Sequence, residues 1–345
     1  MTGARGEAPG ASGERLGERG ECRPGPEPAE GPVVAFQGEH GAFSEEALLD
    51  HFRGRACPLP CRAFEDVGEA VRSGGADFGL LPVENTLVGS VQGSHDVLAD
   101  GGLVIVGEVI LPIRHFLMGL PGAREEDLRE VLSHPVALAQ CTRYFRAHPG
   151  VRAMAVHDTA GAAREVAQRR DPTLAAIAPA GAARRYGLAI LARDLQDRSD
   201  NQTRFYLVQG ESGGGDHGVP ACGPAAVASL PLGVPDSTPG GPDPVLGAPG
   251  PTPAGPDAIP AAFRTVLLLE LRDRPGALLR VLEPFARRGI DLSRIESRPA
   301  GDPWRYRFLL ELRVDGRSHP ARTALEEVAR ETTRLRVLGS FPMGR

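Results

Sequence analysis

Val33-Val34-Ala35-Phe36-Gln37-Gly38-Glu39-His40-Gly41-Ala42-Phe43-Ser44-Glu45-Glu46 carries the reading of the fold. The apolar run Val33 to Phe36 reads as a buried strand. Gly38 and Gly41 mark a turn, and a helix is expected from about Phe43 to Phe52. N–H groups at the start of that helix, a close glycine backbone and the Ser44 hydroxyl make a ready anion site. The same residues also read as a plain strand-to-helix turn with Ser44 as its cap. The stretch has neither the Gly-Lys pair of a phosphate loop nor the G-x-G-x-x-G spacing of a dinucleotide site.

The pattern continues downstream. Further strands are expected at Phe78–Leu81, Leu103–Val106, His115–Met118, Val151–Val156 and Leu174–Ala178. Helices are expected at Phe64–Arg72, Val91–Leu98, Pro135–Ala147, Thr159–Gln168 and Pro179–Tyr186. Such alternation implies an α/β fold with largely parallel sheets and helices on both faces. These sheets bind ligands beyond the carboxyl ends of their strands. Polar residues directly after strands are therefore the informative ones.

Four such segments stand out. In Leu81-Pro82-Val83-Glu84-Asn85-Thr86-Leu87-Val88-Gly89-Ser90, Glu84 could act as an acid or orient a ligand. Asn85, Thr86 and Ser90 are compact hydrogen-bonding groups, although Ser90 also reads as a helix cap. Ser133-His134-Pro135 opens a helix that leads to Gln140-Cys141, and Asp158-Thr159-Ala160 opens another. Asn201-Gln202-Thr203-Arg204-Phe205 enters a strand-like run, Phe205–Val208. Arg204 suits a carboxylate gripped by two N–H bonds. Thr203 suits a hydrogen bond to a leaving oxygen. His40, His95, His115, His134 and His157 form no pair at metal-ligand spacing.

The C-terminal rhythm differs. Strands at Thr265–Leu271, Leu292–Arg298, Trp304–Val314 and Arg334–Leu338 alternate with helices at Ala277–Arg288 and Arg322–Glu331. The order β-α-β-β-α-β is a ferredoxin-like split unit. Before it, residues 209–262 hold 12 Gly, 12 Pro, five acids and no Lys or Arg. That composition reads as a disordered linker, because it cannot bury enough apolar surface to offset chain entropy. As a flexible tether it would span on the order of 40 Å. Residues 1–32 read as a disordered tail for the same reason.

The 345 residues, 41 % of them hydrophobic, suffice for two or three domains. The net charge of −5 argues against a nucleic-acid partner. No apolar run reaches the roughly 18 residues of a spanning helix, so no membrane association is expected. The N-terminus lacks an apolar signal core and is too acidic for a mitochondrial presequence, which gives a cytoplasmic expectation. Five scattered cysteines fit reduced thiols, and the pair Cys57 and Cys61 has no partner pair for zinc. All 39 basic residues are arginine. Schiff-base chemistry through lysine is thereby excluded, and hydroxyls, carboxylates, imidazoles and backbone dipoles are left to do any chemistry.

These segments occur in an order that resembles prephenate dehydratase. The resemblance rests on Gly38–Glu46, Pro82-Val83-Glu84-Asn85-Thr86 through Gly89, Ser133-His134-Pro135, Gln140-Cys141, Asp158-Thr159-Ala160, Ala176–Leu188 and Asn201 through Phe205. Pro275-Gly276-Ala277-Leu278 and Ile295-Glu296-Ser297-Arg298-Pro299 resemble the ACT regulatory domain of the same enzymes. The resemblance implies a two-lobed catalytic unit, like a periplasmic binding protein, over residues 33–208, and an ACT domain over 263–341. It implies conversion of prephenate to phenylpyruvate with loss of carbon dioxide and the ring hydroxyl, without metal or organic cofactor. Thr203 falls on the family's catalytic threonine. Ser44, Glu84, Asn85, Thr86, Ser90, Gln140, Thr159, Asn201, Arg204 and Phe205 become the expected substrate contacts.

The ACT resemblance further implies phenylalanine as an inhibitory effector at a dimer interface, framed by Gly276, Ala277, Leu278, Glu296, Ser297, Arg298 and Pro299, in a homodimer or homotetramer. Val136, Pro179 and Thr86 depart from the family's usual residues, and the long segment 209–262 is an insertion. A fused chorismate mutase is not expected, since the 32 residues before the first strand are too few and too polar for a helical domain. Two other readings stay open: arogenate as the substrate, and a non-catalytic ligand-binding protein on the same fold.

Overall fold

The computed structural model describes residues 31–211, 262–300 and 305–344. Nearly all of the expected tail and linker lies outside the described residues. The chain begins with β1 (Val33–Gln37), α1 (Phe43–His51), β2 (Cys57–Cys61), α2 (Phe64–Arg72), β3 (Phe78–Asn85), β4 (Gly89–Ser90), α3 (Gln92–Ala99) and β5 (Leu103–Pro112). It then crosses to a second lobe. That lobe holds β6 (Phe116–Gly119), β7 (Glu130–Ser133), α4 (Pro135–Ala139), α5 (Thr142–Ala147), β8 (Arg152–Ala155), α6 (Thr159–Arg169), β9 (Leu174–Ala178), α7 (Ala180–Tyr186) and β10 (Ala189–Ala192). A second crossing returns the chain to the first lobe as β11 (Gln202–Gly210).

The first sheet has the order β2-β1-β3-β11-β5, with β4 on β3, and the second β10-β6-β9-β7-β8. Strands β1, β2 and β3 are parallel, as are β7, β8 and β9. The expectation of largely parallel sheets needs correction at β11, which runs antiparallel to both β3 and β5, and at β6, antiparallel to both β9 and β10. Strand β11 returns from the other lobe at the end of the sheet where β3 finishes, so it can only run backwards. It continues to Gly210, past the expected domain end at Val208.

Two further expectations are corrected. The single helix over Pro135–Ala147 is broken at Gln140-Cys141. The Asp197 carboxylate takes the Thr142 and Arg143 N–H groups, each at 2.9 Å, and caps a new helix there. Strands β2, β4, β7 and β10 have no counterpart in the sequence reading. Strand β2 is Cys-Pro-Leu-Pro-Cys on a sheet edge, a setting where strand prolines can turn their missing N–H away from the ladder.

The third sheet, β13-β14-β12-β15, is built from β12 (Phe263–Leu271), α8 (Ala277–Ala286), β13 (Leu292–Pro299), β14 (Tyr306–Leu312), α9 (His319–Glu331) and β15 (Thr332–Pro342). One face is covered by α8 and α9, through Leu267, Leu269, Leu310 and Leu312 against Val281, Phe285, Leu325 and Val328. Its other face lies on the first lobe. Val266, Leu268, Leu309, Leu338 and Phe341 join Val67, Val97, Leu81, Tyr206 and Val208 in one core. Each fully buried side chain of this kind contributes about 1.5–3 kcal/mol. Gly339 lies so close to the Ile105 carbonyl that any side chain would collide with it. The regulatory-type unit thus shares a core with the first lobe. Among the described residues no helix is long and apolar enough to cross a membrane.

Candidate active site

Two of the polar motifs meet in register. Strands β3 and β11 place Thr203 opposite Asn85 and Arg204 opposite Glu84. Asn85 Oδ1 accepts the N–H groups of Leu87 at 2.9 Å and Val88 at 3.1 Å. This turn fixes the amide, since only the oxygen can take two donors. Nδ2 therefore faces β11. It donates among Thr203 Oγ1 at 3.0 Å, Asn201 Oδ1 at 2.9 Å and the Gln202 carbonyl at 3.1 Å. Thr86 closes the same corner, donating to the Asp200 carbonyl at 2.9 Å and accepting from Gln202 N at 3.0 Å.

The chain of bonds extends into the second lobe. Asn201, only 1 % exposed, donates through Nδ2 to Gln140 Oε1 at 2.9 Å. The same Oε1 lies 2.9 Å from His115 Nε2. Since Oε1 can only accept, His115 carries its proton on Nε2. Burial pushes the His115 pKa down, against the pull of the Gln140 bond, and keeps the ring neutral. His115 lies in the first crossing between lobes and Asn201 in the second. An imidazole, a carboxamide from the residue after α4 and two asparagines thus connect the interlobe crossings to the Thr203 hydroxyl. Nothing in the sequence sets His115 above four other histidines, since its partners lie 25 and more residues away.

Ser44 and Thr159 stand at helix starts on opposite lobes. Ala42 caps α1, so Ser44 is not the cap, and Phe43 beside it packs edge-on against His115 at 5.4 Å. Asp158 caps α6 through a 2.6 Å bond from Gly161 N. The lobes touch here. Tyr186 Oη donates to the His40 carbonyl at 2.9 Å, and Arg164 lies 2.7 Å from Glu39. Gly41 has φ +90°, and a Cβ on it would stand 2.7 Å from Ala182 Cα. No hydrogen bond joins Ser44 or Thr159 to the Thr203–Asn85 pair among the described residues.

Arg204 points the other way. Its guanidinium forks onto Glu311 of β14, Nη1 to Oε2 at 2.7 Å and Nη2 to Oε1 at 2.9 Å, and Nη2 also meets Glu84 at 2.7 Å. Glu311, 1 % exposed, accepts Tyr206 Oη at 2.6 Å and Arg264 Nη1 at 2.6 Å as well. Burial would raise the Glu311 pKa; the Arg204 bonds, the Tyr206 hydroxyl and the Arg264 charge outweigh it and hold the carboxyl below its usual range. Glu108, fully buried, lies 3.0 Å from Arg264 Nε. Phe205 faces neither cleft nor interface: it packs with Phe36, Leu48 and Leu80 in the core of the first lobe. Ser90 does not cap α3, which Val91 precedes; its hydroxyl donates to Glu296 at 2.8 Å.

The expected effector residues divide between two faces. Glu296 and Arg298, together with Arg294 outside that set, point from β13 toward the first lobe, at Ser90 and Asp96. Ile295, 48 % exposed, and Ser297 alternate with them and point away. Gly276, with φ +76°, caps α8 at the end of the sheet where Pro299 lies.

Comparison with known proteins agrees with this geometry. Residues 34–213 match the family model described as Prephenate dehydratase and residues 265–330 the one described as ACT domain. A curated relative from Arabidopsis thaliana, "Arogenate dehydratase/prephenate dehydratase 2, chloroplastic", is 36 % identical over 90 % of this chain and 72 % of its own length. A solved prephenate dehydratase from Arthrobacter aurescens, in complex with L-Phe, superposes with TM-score 0.71 at 30 % identity, covering 90 % of each chain. A solved protein titled "GqqA- a novel type of quorum quenching acylases" gives TM-score 0.72 at 31 % identity, covering 90 % of this chain and 98 % of its own. With two α/β lobes, a paired Asn85–Thr203 and a βαββαβ unit docked on the first lobe, the chain belongs to the prephenate dehydratase family and carries that family's ACT domain.

Proposed function

We propose that this chain converts prephenate to phenylpyruvate, with Thr203 donating the hydrogen bond that helps the ring hydroxyl depart. One observation carries the reading. Asn85 Nδ2 donates to Thr203 Oγ1, so an acceptor site of the threonine is occupied and its own proton is left to point elsewhere. As the ring carboxylate leaves as carbon dioxide, its electron pair flows through the ring and expels hydroxide. Thr203 stabilises that hydroxide where charge develops, and Asn85, Asn201, Gln140 and His115 hold the donor in place. The aromatic product supplies the driving force. The Arg204 fork is already filled by Glu311, so the substrate carboxylates fall instead to the helix starts at Ser44 and Thr159.

Arogenate differs from prephenate by an ammonium in place of a side-chain carbonyl. That side chain stands on the ring carbon opposite the departing hydroxyl, so the groups around Thr203 do not choose between the two, and prephenate is read from the family. Measuring kcat/KM on both substrates tests this. A higher value on arogenate overturns it, and turnover of neither leaves a ligand-binding protein.

We infer also that phenylalanine inhibits through the ACT domain in a homodimer or homotetramer. The solved relative was crystallised with L-Phe. Leu279 and Ile295, 69 % and 48 % exposed, lie on the unit whose strand β13 forms a sheet edge, a surface suited to a second copy. Cys61 and Cys141, which form no disulfide among the described residues, fit a cytoplasmic location.

A further inference from the structure

We infer that Arg294 is a positioning residue, the one through which β13 sets the Asn85–Thr203 pair. Arg294 is not among the residues that the ACT motifs mark, and the inference deepens the regulatory reading above. Its side chain is 9 % exposed. Nη2 lies 2.5 Å from Ser90 Oγ, 2.7 Å from Glu296 Oε2, 3.3 Å from His95 Nε2 and 3.4 Å from the Val83 carbonyl. Nη1 lies 3.4 Å from Glu311 Oε1. One guanidinium therefore touches two ACT carboxylates and three groups of the first lobe.

Those three groups surround the segment that holds the catalytic pair. Strand β4 folds back on β3 with Ser90 opposite Glu84 and Gly89 opposite Asn85. Leu87 and Val88, between the two strands, supply the N–H groups that orient the Asn85 amide. Ser90 is thus the far anchor of the turn that aims Asn85 at Thr203, and Arg294 and Glu296 hold that anchor. The other ACT carboxylate, Glu311, grips Arg204, the residue after Thr203. Arg294 joins both grips.

Strand alternation supplies the link to the effector. Ile295 and Ser297 face away from the first lobe, on the side where α8 begins, while Arg294 and Glu296 face the Ser90 anchor. A ligand that shifts β13 from the outer face must move the inner row with it, because both are fixed to one backbone. Coupling then requires only that the shifted row hold Ser90 differently in the two states.

The test uses the full chain with prephenate as substrate and phenylalanine as effector. Arg294→Lys keeps a cation near Glu296 and Glu311 but cannot reach both and Ser90 together. Expected are a three- to tenfold lower kcat with KM within twofold, phenylalanine binding by equilibrium dialysis within twofold of wild type, and inhibition at saturating phenylalanine weakened at least tenfold. Ser90→Ala, at an exposed position, removes the same contact from the other side and should repeat the lower kcat if the lysine variant fails to fold. Wild-type kcat together with wild-type inhibition in a folded variant overturns the inference. A wild type that phenylalanine does not inhibit overturns the regulatory reading, and the effector-free kcat still decides the role of Arg294.

Discussion

Asn85 and Thr203, 118 residues apart in the chain, face each other across β3 and β11 with 3.0 Å between amide nitrogen and hydroxyl oxygen. Each has its own anchor: Asn85 by two backbone N–H groups of its turn, Thr203 by a strand gripped on both edges. On the proposed mechanism, the donor to the leaving group is therefore placed before substrate arrives, so little reorganisation remains for the chemical step.

Thr203→Ala should lower kcat by about 10²- to 10³-fold, the usual cost of removing one positioned donor, with KM little changed. Thr203→Ser keeps the hydroxyl and should recover part of the loss. Steady-state kinetics on prephenate decide this, and a Thr203→Ala enzyme with wild-type kcat would exclude the assigned role.

Asn85→Asp keeps the oxygen that accepts from Leu87 and Val88 and removes the donor to Thr203. Losing a bond worth about 1 kcal/mol, with a carboxylate left beside the hydroxyl, should cost kcat about tenfold or more. The thermal midpoint should fall as well, because a carboxylate oxygen would face the Asn201 and Gln202 oxygens that the amide nitrogen served.

Glu311→Leu leaves Arg204 and Arg264 without their shared carboxylate in a nearly dry interface. Breaking a buried pair by removing one partner costs about 3–5 kcal/mol. Urea unfolding should show a loss of that order. A loss below about 1 kcal/mol would mean that water enters the interface and screens the cluster.

Burial lowers the pKa of both His115 and His95 from the ordinary 6.5. The unfolded chain takes up these protons near pH 6.5, and the folded chain only at lower pH. Stability from this source is complete above about 6.5 and declines as pH falls through the folded values. The melting temperature should therefore drop between pH 7.5 and 5, and less so in His115→Gln. An equal drop in that variant would assign the acid sensitivity to other groups.

Gly41→Ala places a methyl group against Ala182 across the interlobe contact and forces a side chain to φ +90°. The lobes should close less well, raising KM more than it lowers kcat. Small-angle scattering with and without a substrate analogue would register the wider cleft.

Much of the fold lay in local pattern. Leu174–Ala178 and Phe64–Arg72 begin and end where the periodicity places them, because a run of apolar residues or a 3.6-residue stripe is a property of adjacent positions. The breaks in the pattern come from distant residues. Asp197 splits the helix at Gln140-Cys141, and β11 extends β3 through Asn85, turning an expected loop into strand. At the site, Asn85 was legible as a polar group after a strand, Asn201 and Thr203 as polar groups entering one, and Gln140 through the family resemblance. His115 was not, since nothing near it in the chain distinguishes it. Glu311 left a trace, one acid within Phe308-Leu309-Leu310-Glu311-Leu312, but no sign of its partner.

The sequence alone determined the alternation of strands and helices, the split β-α-β-β-α-β unit and the absence of lysine chemistry, each a matter of residue type and spacing. Only the tertiary structure decided that Arg204 turns from Thr203 toward Glu311, and that Glu296 faces Ser90. Successive residues of a strand point to opposite faces, and which face meets a ligand, a core or another domain depends on sheets assembled from segments far apart in the chain.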